Sequence, residues 1–244
     1  MTFLKLFPAL ALACLLPASG AFAYDYAGKV ALTGFVGFDT FAMGDVNKTL
    51  NQVGGSITNG YEFGGGLSYG VTHNIMLTVG LCELRNQDTF DGGSISLPAL
   101  SGYLREDYFF TNVMKNLDLS VGGGLEYDVL DGNTSVDPNG PAAQIKSSGW
   151  AGSPGGGGGV AVGTAPSGAQ YVLTNCQGST IGALFSVGAR YFVLPRLSIN
   201  GSLGYRYSHI YAVTGTTDGE TGPEDETVDY SGLISRLEAS YYFF

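Results

Sequence analysis

Hydrophobic and polar residues alternate along most of this chain with a period of two. In residues 228–244, Leu233, Leu237, Ala239, Tyr241 and Phe243 share one face, while Ile234, Arg236, Glu238, Ser240 and Tyr242 share the other. The same alternation runs through 29–41, 61–71, 75–84, 97–111, 117–129, 180–193 and 197–208. Eight strands are therefore predicted. Strand 97–111 is the least regular: either phase brings Arg105 or Glu106 near the apolar face, which predicts a bulge there or a charge close to the edge of that face. The strand-free stretches are alternately long and short. Short turns fall at 72–74, 115–116 and 194–196, and the longest loop, 131–178, is rich in glycine and proline. One helical turn interrupts the pattern: Val46, Leu50 and Val53 are spaced for a helix, with Asp45 as its N-cap and Gly54 as its stop.

The less apolar face decides what kind of barrel these strands build. Opposite the apolar residues it holds Glu62, Glu126, Asp128, Arg190, Arg206, Arg236 and Glu238 among glycines and serines. A soluble barrel would turn its apolar face inward and its charges to water, so this distribution is inverted. The predicted fold is an all-β, eight-stranded antiparallel up-and-down transmembrane barrel, because a bilayer tolerates sheet only as a closed ring. An eight-stranded lumen is only wide enough for side chains to fill it. Those seven charges are accordingly expected to pair with one another and plug it. An even strand count with alternating loop lengths places the short turns and both termini in the periplasm and the long loops outside.

Composition agrees. Charged residues make up 13% and aromatics 12%, with 39 glycines and 15 tyrosines, far from the roughly 25% charge of a soluble domain. At the N-terminus, Lys5 precedes an apolar run and Ala21-Phe22-Ala23, a signal-peptidase pattern. This predicts a signal peptide over 1–23 and one barrel domain over 24–244. Cys14 does not sit in a lipid-attachment box. Cleavage would change the formal charge from −10 to −11, which argues against nucleic acid as a partner. It would also leave Cys82 and Cys176 in an oxidising compartment, where an even count favours a disulfide. Both lie toward the long-loop rim, but on strands far apart around the barrel. A bridge would need the glycine-rich loop to fold over the mouth, and two separate thiols are the alternative.

From Lys29 to Phe244, blocks such as YEFGGGLSYGVTHNIMLTVGL and the aromatic end resemble the small eight-stranded outer-membrane barrels of the OmpA transmembrane, OmpW and opacity-protein kind. The resemblance implies outer-membrane lipid and lipopolysaccharide as surroundings. It also implies assembly machinery that reads a C-terminal signal, here Tyr241, Phe243 and Phe244. The apolar phase puts Phe243 rather than Phe244 on the lipid face, and no peptidoglycan-binding domain follows. The function implied is structural or surface-interactive, with a narrow channel for small or hydrophobic solutes as the alternative.

Candidate chemistry is sparse. Residues 206–212 resemble the segment in which lipid A deacylase barrels carry a histidine and, two positions on, a nucleophilic serine. Here His209 is followed by Tyr211, which cannot replace an activated hydroxyl, and Ser208 points to the opposite face. No enzymatic activity is expected. His73 reads as a turn residue. Asp218, Glu220, Glu224, Asp225 and Glu226 form an acidic loop without calcium-loop spacing, and Gly155 to Gly159 lacks the lysine of a phosphate loop. No cofactor or metal is expected.

Overall fold

The computed structural model describes residues 24–51, 54–90, 93–136, 172–210, 214–217, 220–223 and 228–243. In chain order its elements are β1 (Val30–Thr40), α1 (Gly44–Leu50), β2 (Asn59–Gly70), β3 (Ile75–Arg85), β4 (Gln87–Phe90), β5 (Gly93–Ser96), β6 (Ala99–Met114), β7 (Leu117–Val136), β8 (Val172–Leu194), β9 (Leu197–Tyr207), β10 (His209–Ile210), β11 (Thr214–Thr217), β12 (Glu220–Pro223), β13 (Val228–Asp229) and β14 (Gly232–Tyr242). The eight long strands pair antiparallel in the ring β1-β2-β3-β6-β7-β8-β9-β14, and β14 closes onto β1 through a ladder from Ala31–Tyr242 to Asp39–Ile234. The predicted eight-stranded barrel is thus the observed one.

The register gives its dimensions. Starting at Ile75, the row of facing partners runs through Tyr108, Val121, Val187, Leu203, Ser235, Phe38 and Tyr61, and re-enters β3 at Arg85, ten residues further along. With ~3.4 Å per residue and ~4.8 Å between strands, this stagger tilts the strands by ~40° and sets a backbone radius of ~8 Å. Side chains fill so narrow a tube.

Alternation assigns each face as the sequence predicts. On β14, Ile234, Arg236, Glu238, Ser240 and Tyr242 are buried, and Leu233, Leu237 and Tyr241 are exposed. Outward residues elsewhere are large and apolar: Leu32, Val36, Leu67, Val79, Leu81, Leu104, Leu125, Phe185 and Leu203 are all exposed. Inward glycines make room for large neighbours. A Cβ at Gly66 or Gly80 would strike the Tyr103 hydroxyl, so those two glycines let that ring cross the lumen.

Three expectations need correction. Of the two alternatives at Arg105 and Glu106 the bulge does not form: the ladder is regular through them, against Gly124 and Gly123, and shifts register only between Phe110 and Met114, next to the turn, while Glu106 stands exposed on the apolar face as the other alternative expects. There Asn116 adopts a positive φ of 60°, a conformation that asparagine tolerates. Second, β7 and β8 stay paired beyond the predicted strand ends, from Leu130–Gly178 out to Val136–Val172, so both flanks of the 131–178 loop are strand. Backbone pairing needs no apolar alternation once a neighbouring strand is aligned, and polar extensions carry no period-two signal. Third, the connectors at 85–99 and 208–232 contain short strands, β4 paired with β5 and β10 with β13. The predicted helix is present as α1, but it begins at Gly44, so Asp45 lies inside it rather than capping it, and Val53 falls outside the described residues; Gly54 follows at a φ of 77°.

Candidate functional site in the barrel lumen

The lumen is filled in three layers. At the short-turn end, residues 24–29 fold back into the barrel. Tyr26 is fully buried, its ring stacks on Phe109 at 4.5 Å, and its hydroxyl donates to Asp118 at 2.6 Å. Tyr24 stacks on Phe192 at 4.1 Å, and burial raises its phenol pKa well above the ordinary value. The backbone fixes this segment: Gly28 N–H donates to Gly70 O, Gly70 N–H donates to Lys29 O, and a Cβ at Gly70 would fall onto the Tyr26 carbonyl. His73, read as a simple turn residue, is exposed and meets Asp25 through Nδ1 at 2.6 Å.

Arginines and acids occupy the middle. Arg206 is completely buried and touches three carboxylates: Asp39 at 3.0 Å, Glu62 at 2.8 Å and Glu126 at 2.8 Å. Arg236 binds Glu62 from the other side and lies 4.8 Å over the Phe35 ring. Arg105 makes a two-pronged contact with Glu238, at 2.6 and 3.0 Å, and a third with Asp107 at 2.8 Å. Asn200 also donates to Glu238, at 3.1 Å.

The long-loop end is apolar. Phe41, Met43, Val46 and Leu50, carried by α1 and its flanks, pack with Ile57, Leu84, Ile95, Leu97, Leu130, Ile210, Val228 and Tyr230. Tyr230 donates to Leu97 O at 2.7 Å and meets Phe41 edge-on. Asn47 receives the N–H of Ile57 and donates to its carbonyl, which ties α1 to the loop that follows.

Of the seven expected lumen charges, Glu62, Glu126, Arg206, Arg236 and Glu238 form ion pairs, although Glu238 does so with the unexpected Arg105. Asp128 does not. Its two oxygens accept from the Ser101 and Ser208 hydroxyls: Ser101 faces it from the adjoining β6, and Ser208, just past β9, reaches it over Gly182 of the intervening β8. Arg190 also departs from expectation: it donates to the Tyr242 hydroxyl at 2.7 Å and to Met76 sulfur at 3.4 Å, and lies 4.2 Å over Phe109. Its surroundings are the aromatic layer rather than the acids. Asp39, Arg105 and Asp107 were missed. For Arg105 the signal was present, since it shares a phase with Tyr103 and Asp107.

Cys82 is a buried free thiol, so the expected bridge to Cys176 is not formed; the Cys176 side chain lies outside the described residues. Cys82 is buried in the packed cluster at the long-loop end of the barrel. His209 stacks on Tyr207 and contacts Ser231 and Asp229 through the same Nδ1, at 3.1 and 3.3 Å. Ser208 is buried against Asp128, facing away from His209 as predicted. Residues 1–23, Tyr211, Asp218, Glu224, Asp225, Glu226, the run from Gly155 to Gly159, and Phe244 fall outside the described residues.

The outer face carries two rings of aromatics. Tyr69, Tyr108, Phe110, Tyr241 and Phe243 stand exposed toward the short-turn end, and Phe38, Tyr61, Phe63, Tyr127, Tyr205 and Tyr207 toward the other. On β2, Tyr61 and Tyr69 are separated by ~20 Å along the barrel axis at ~40° tilt, which matches the ~25 Å apolar band of membrane barrels.

No family model matches the chain, and no curated protein matches it. Solved structures do. The crystal structure of Neisserial surface protein A aligns over 88% of this chain and 97% of its own, at 12% identity and a TM-score of 0.50. The fold is that of a small outer-membrane barrel. The outer membrane protein OprG from Pseudomonas aeruginosa aligns over 90% and 97%, at 12% identity and a TM-score of 0.49. Ail, the attachment invasion locus protein of Yersinia pestis, aligns over 89% and 99%, at 12% identity and a TM-score of 0.43.

Proposed function

We propose that this chain is an outer-membrane barrel whose role is structural or surface-interactive, with its lumen plugged and its long loops turned to the exterior. The observation that carries the membrane part is the outer face: an apolar wall interrupted by a single charge, Glu106, among the described residues, bounded by two aromatic rings and wrapped around an interior of buried charges. Residues 1–23 act as the export signal. The long loops meet lipopolysaccharide or a surface partner, and Tyr241, Phe243 and Phe244 are read by the barrel-assembly machinery. Tyr241 and Phe243, exposed and edge to face at 5.3 Å, are available for such reading. Likeness of fold supports the anchoring, and the particular surface role rests on the loops.

The plugged state is supported by three successive seals, aromatic, ionic and apolar, in a tube of ~8 Å backbone radius. A channel would need all three to open. Planar-bilayer recording of the refolded protein tests this: the expected trace is flat, and steady unitary conductance would replace the plug with the channel reading. Orientation is tested by protease added to intact cells. Cleavage is expected within 137–171 and not at the turns bearing His73 or Pro195; cutting at those turns in unbreached cells would invert the topology.

A further inference from the structure

Glu106 is the one charge on the outer face between the two aromatic rings, among the described residues. It is exposed, stands on β6 directly after the inward Arg105, and faces Leu77 on one side and Gly123 on the other. Tyr108 of the short-turn ring lies two residues away on the same face, ~5 Å lower along the axis at ~3.4 Å per residue and ~40° tilt. Glu106 therefore sits just inside the apolar band, on the periplasmic side. The contrast with Glu83 is instructive. Glu83, level with Phe63 of the other ring, is neutralised by Arg85 at 2.7 Å. Glu106 makes no hydrogen bond or ion pair with its own chain among the described residues.

An ionised side chain at membrane depth carries a desolvation cost that a partner must offset. Nothing in the barrel's own packing explains the position, since the ladder through it is regular. Its neighbour Gly123 is not demanded by packing either. A Cβ there would meet only Leu184 O, at an ordinary 3.7 Å, whereas inward Gly122 and Gly124 have no such room. The glycine leaves an open notch beside the carboxylate.

We propose that this notch binds the ammonium headgroup of an ethanolamine phospholipid from the inner leaflet. Three features fit that ligand. A glutamate side chain can bend the few ångströms down to the headgroup zone past Tyr108. A primary ammonium offers three donors to a carboxylate, and the charge-assisted bond is strong where water is scarce. The bare backbone at Gly123 lets the headgroup approach from the side. A quaternary ammonium, which has no N–H, cannot make the bond.

The inference rests on the membrane reading above, and one experiment separates the two. The full chain is reconstituted into nanodiscs holding equal amounts of phosphatidylethanolamine and phosphatidylcholine, then released for native mass spectrometry. The expected result is retention of the ethanolamine lipid over choline by about tenfold. That preference should vanish in Glu106→Gln, persist in Glu106→Asp, and weaken in Gly123→Leu. Insertion with equal retention of both lipids, or an unchanged preference in Glu106→Gln, overturns the site. A homodimer that retains neither lipid also overturns it, in favour of a second copy against this face. Failure to enter nanodiscs at all sinks the membrane reading along with it.

Discussion

Arg206 and Arg190 lie on adjoining strands of one lumen, both nearly inaccessible, and are accommodated in opposite ways. Arg206, near the long-loop end, is surrounded by charge: Asp39, Glu62 and Glu126 each take one of its edges. Arg190, near the short-turn end, is surrounded by rings: it lies over Phe109 and Tyr26 and donates to a phenol and a thioether. A buried guanidinium needs its charge offset and its donors filled. Carboxylates supply both at once; aromatic faces supply the first and leave the second to neutral acceptors. Each cluster leaves a polar atom unfilled, Nε of Arg190 itself in one and Oδ1 of Asp39 in the other. Removing each arginine should therefore have a different effect.

The largest effect belongs to Arg206. Replacing it with methionine keeps the volume but strands carboxylates around an uncharged side chain, and Glu126 loses the guanidinium that bridges both its oxygens. We expect a loss of about 3 to 5 kcal/mol, as for a buried pair deprived of one member. Urea unfolding of the barrel in lipid vesicles measures it. A variant as stable as the parent would mean that water already screens the cluster. Adding Glu126→Gln to Arg206→Met should recover part of the loss, since it removes one of the stranded charges.

Arg190→Met should cost less, about 2 kcal/mol, which is the worth of a desolvated cation–π contact. The methionine would still pack against Phe109 and Met76, and among the described residues no ion pair of Arg190 is lost. If Arg190→Met proves as damaging as Arg206→Met, the aromatic cage is not equivalent to solvation by neutral groups, and the contrast between the two arginines collapses.

These two residues also mark what the sequence could and could not disclose. Both stand on the inward phase of long alternating strands, and alternation alone was enough to place them in the lumen. Partner choice was not legible in the same way, because it depends on which strands the stagger brings level. Arg206 and Glu62 are 144 positions apart in the chain, and only closure of the ring makes them neighbours. Arg105 and Glu106 were ambiguous for a related reason: two adjacent charges satisfy neither phase, and the outward one is tolerated for reasons outside the strand pattern. The cap of Phe41, Met43, Val46 and Tyr230 drew on connectors, where no period applies, although the helix in it was spelled out by the spacing of Val46 and Leu50. The stopper at Tyr24 and Tyr26 had no periodic signal at all. Its nearest trace was Gly70, a strand glycine whose missing Cβ makes way for the Tyr26 carbonyl.

That stopper supplies the third test. Tyr26→Phe keeps the stacking on Phe109 and removes only the hydroxyl that donates to Asp118. A loss of about 1 kcal/mol is expected, typical of one hydrogen bond, and it is moderated because Asp118 has other interactions. Tyr26→Ala would also remove the stacked ring and should cost more. Equal effects of the two variants would mean that the hydroxyl alone holds the segment.

The smallest effect is expected from acidification at the same end. The Ala27 N–H, first, and the His73 ring, second, hold the Asp25 carboxyl below its ordinary pKa. A carboxylate with a depressed folded pKa contributes stability that is fully present above its unfolded value and lost as pH falls through the folded one. Protection of the Ala27 amide against exchange, relative to the free-chain rate at the same pH, should thus be full at neutral pH and fall only below the ordinary carboxylate range. Because Asp25 is fully exposed, solvent screens the contact, and the rest of the barrel should not respond. Asp25→Asn should flatten the acid dependence at Ala27 and leave global unfolding unchanged. Loosening at Ala27 that persists in Asp25→Asn would instead assign the acid sensitivity to groups deeper in the lumen, and the short-turn end would no longer differ from the Arg206 cluster in how it responds to protons.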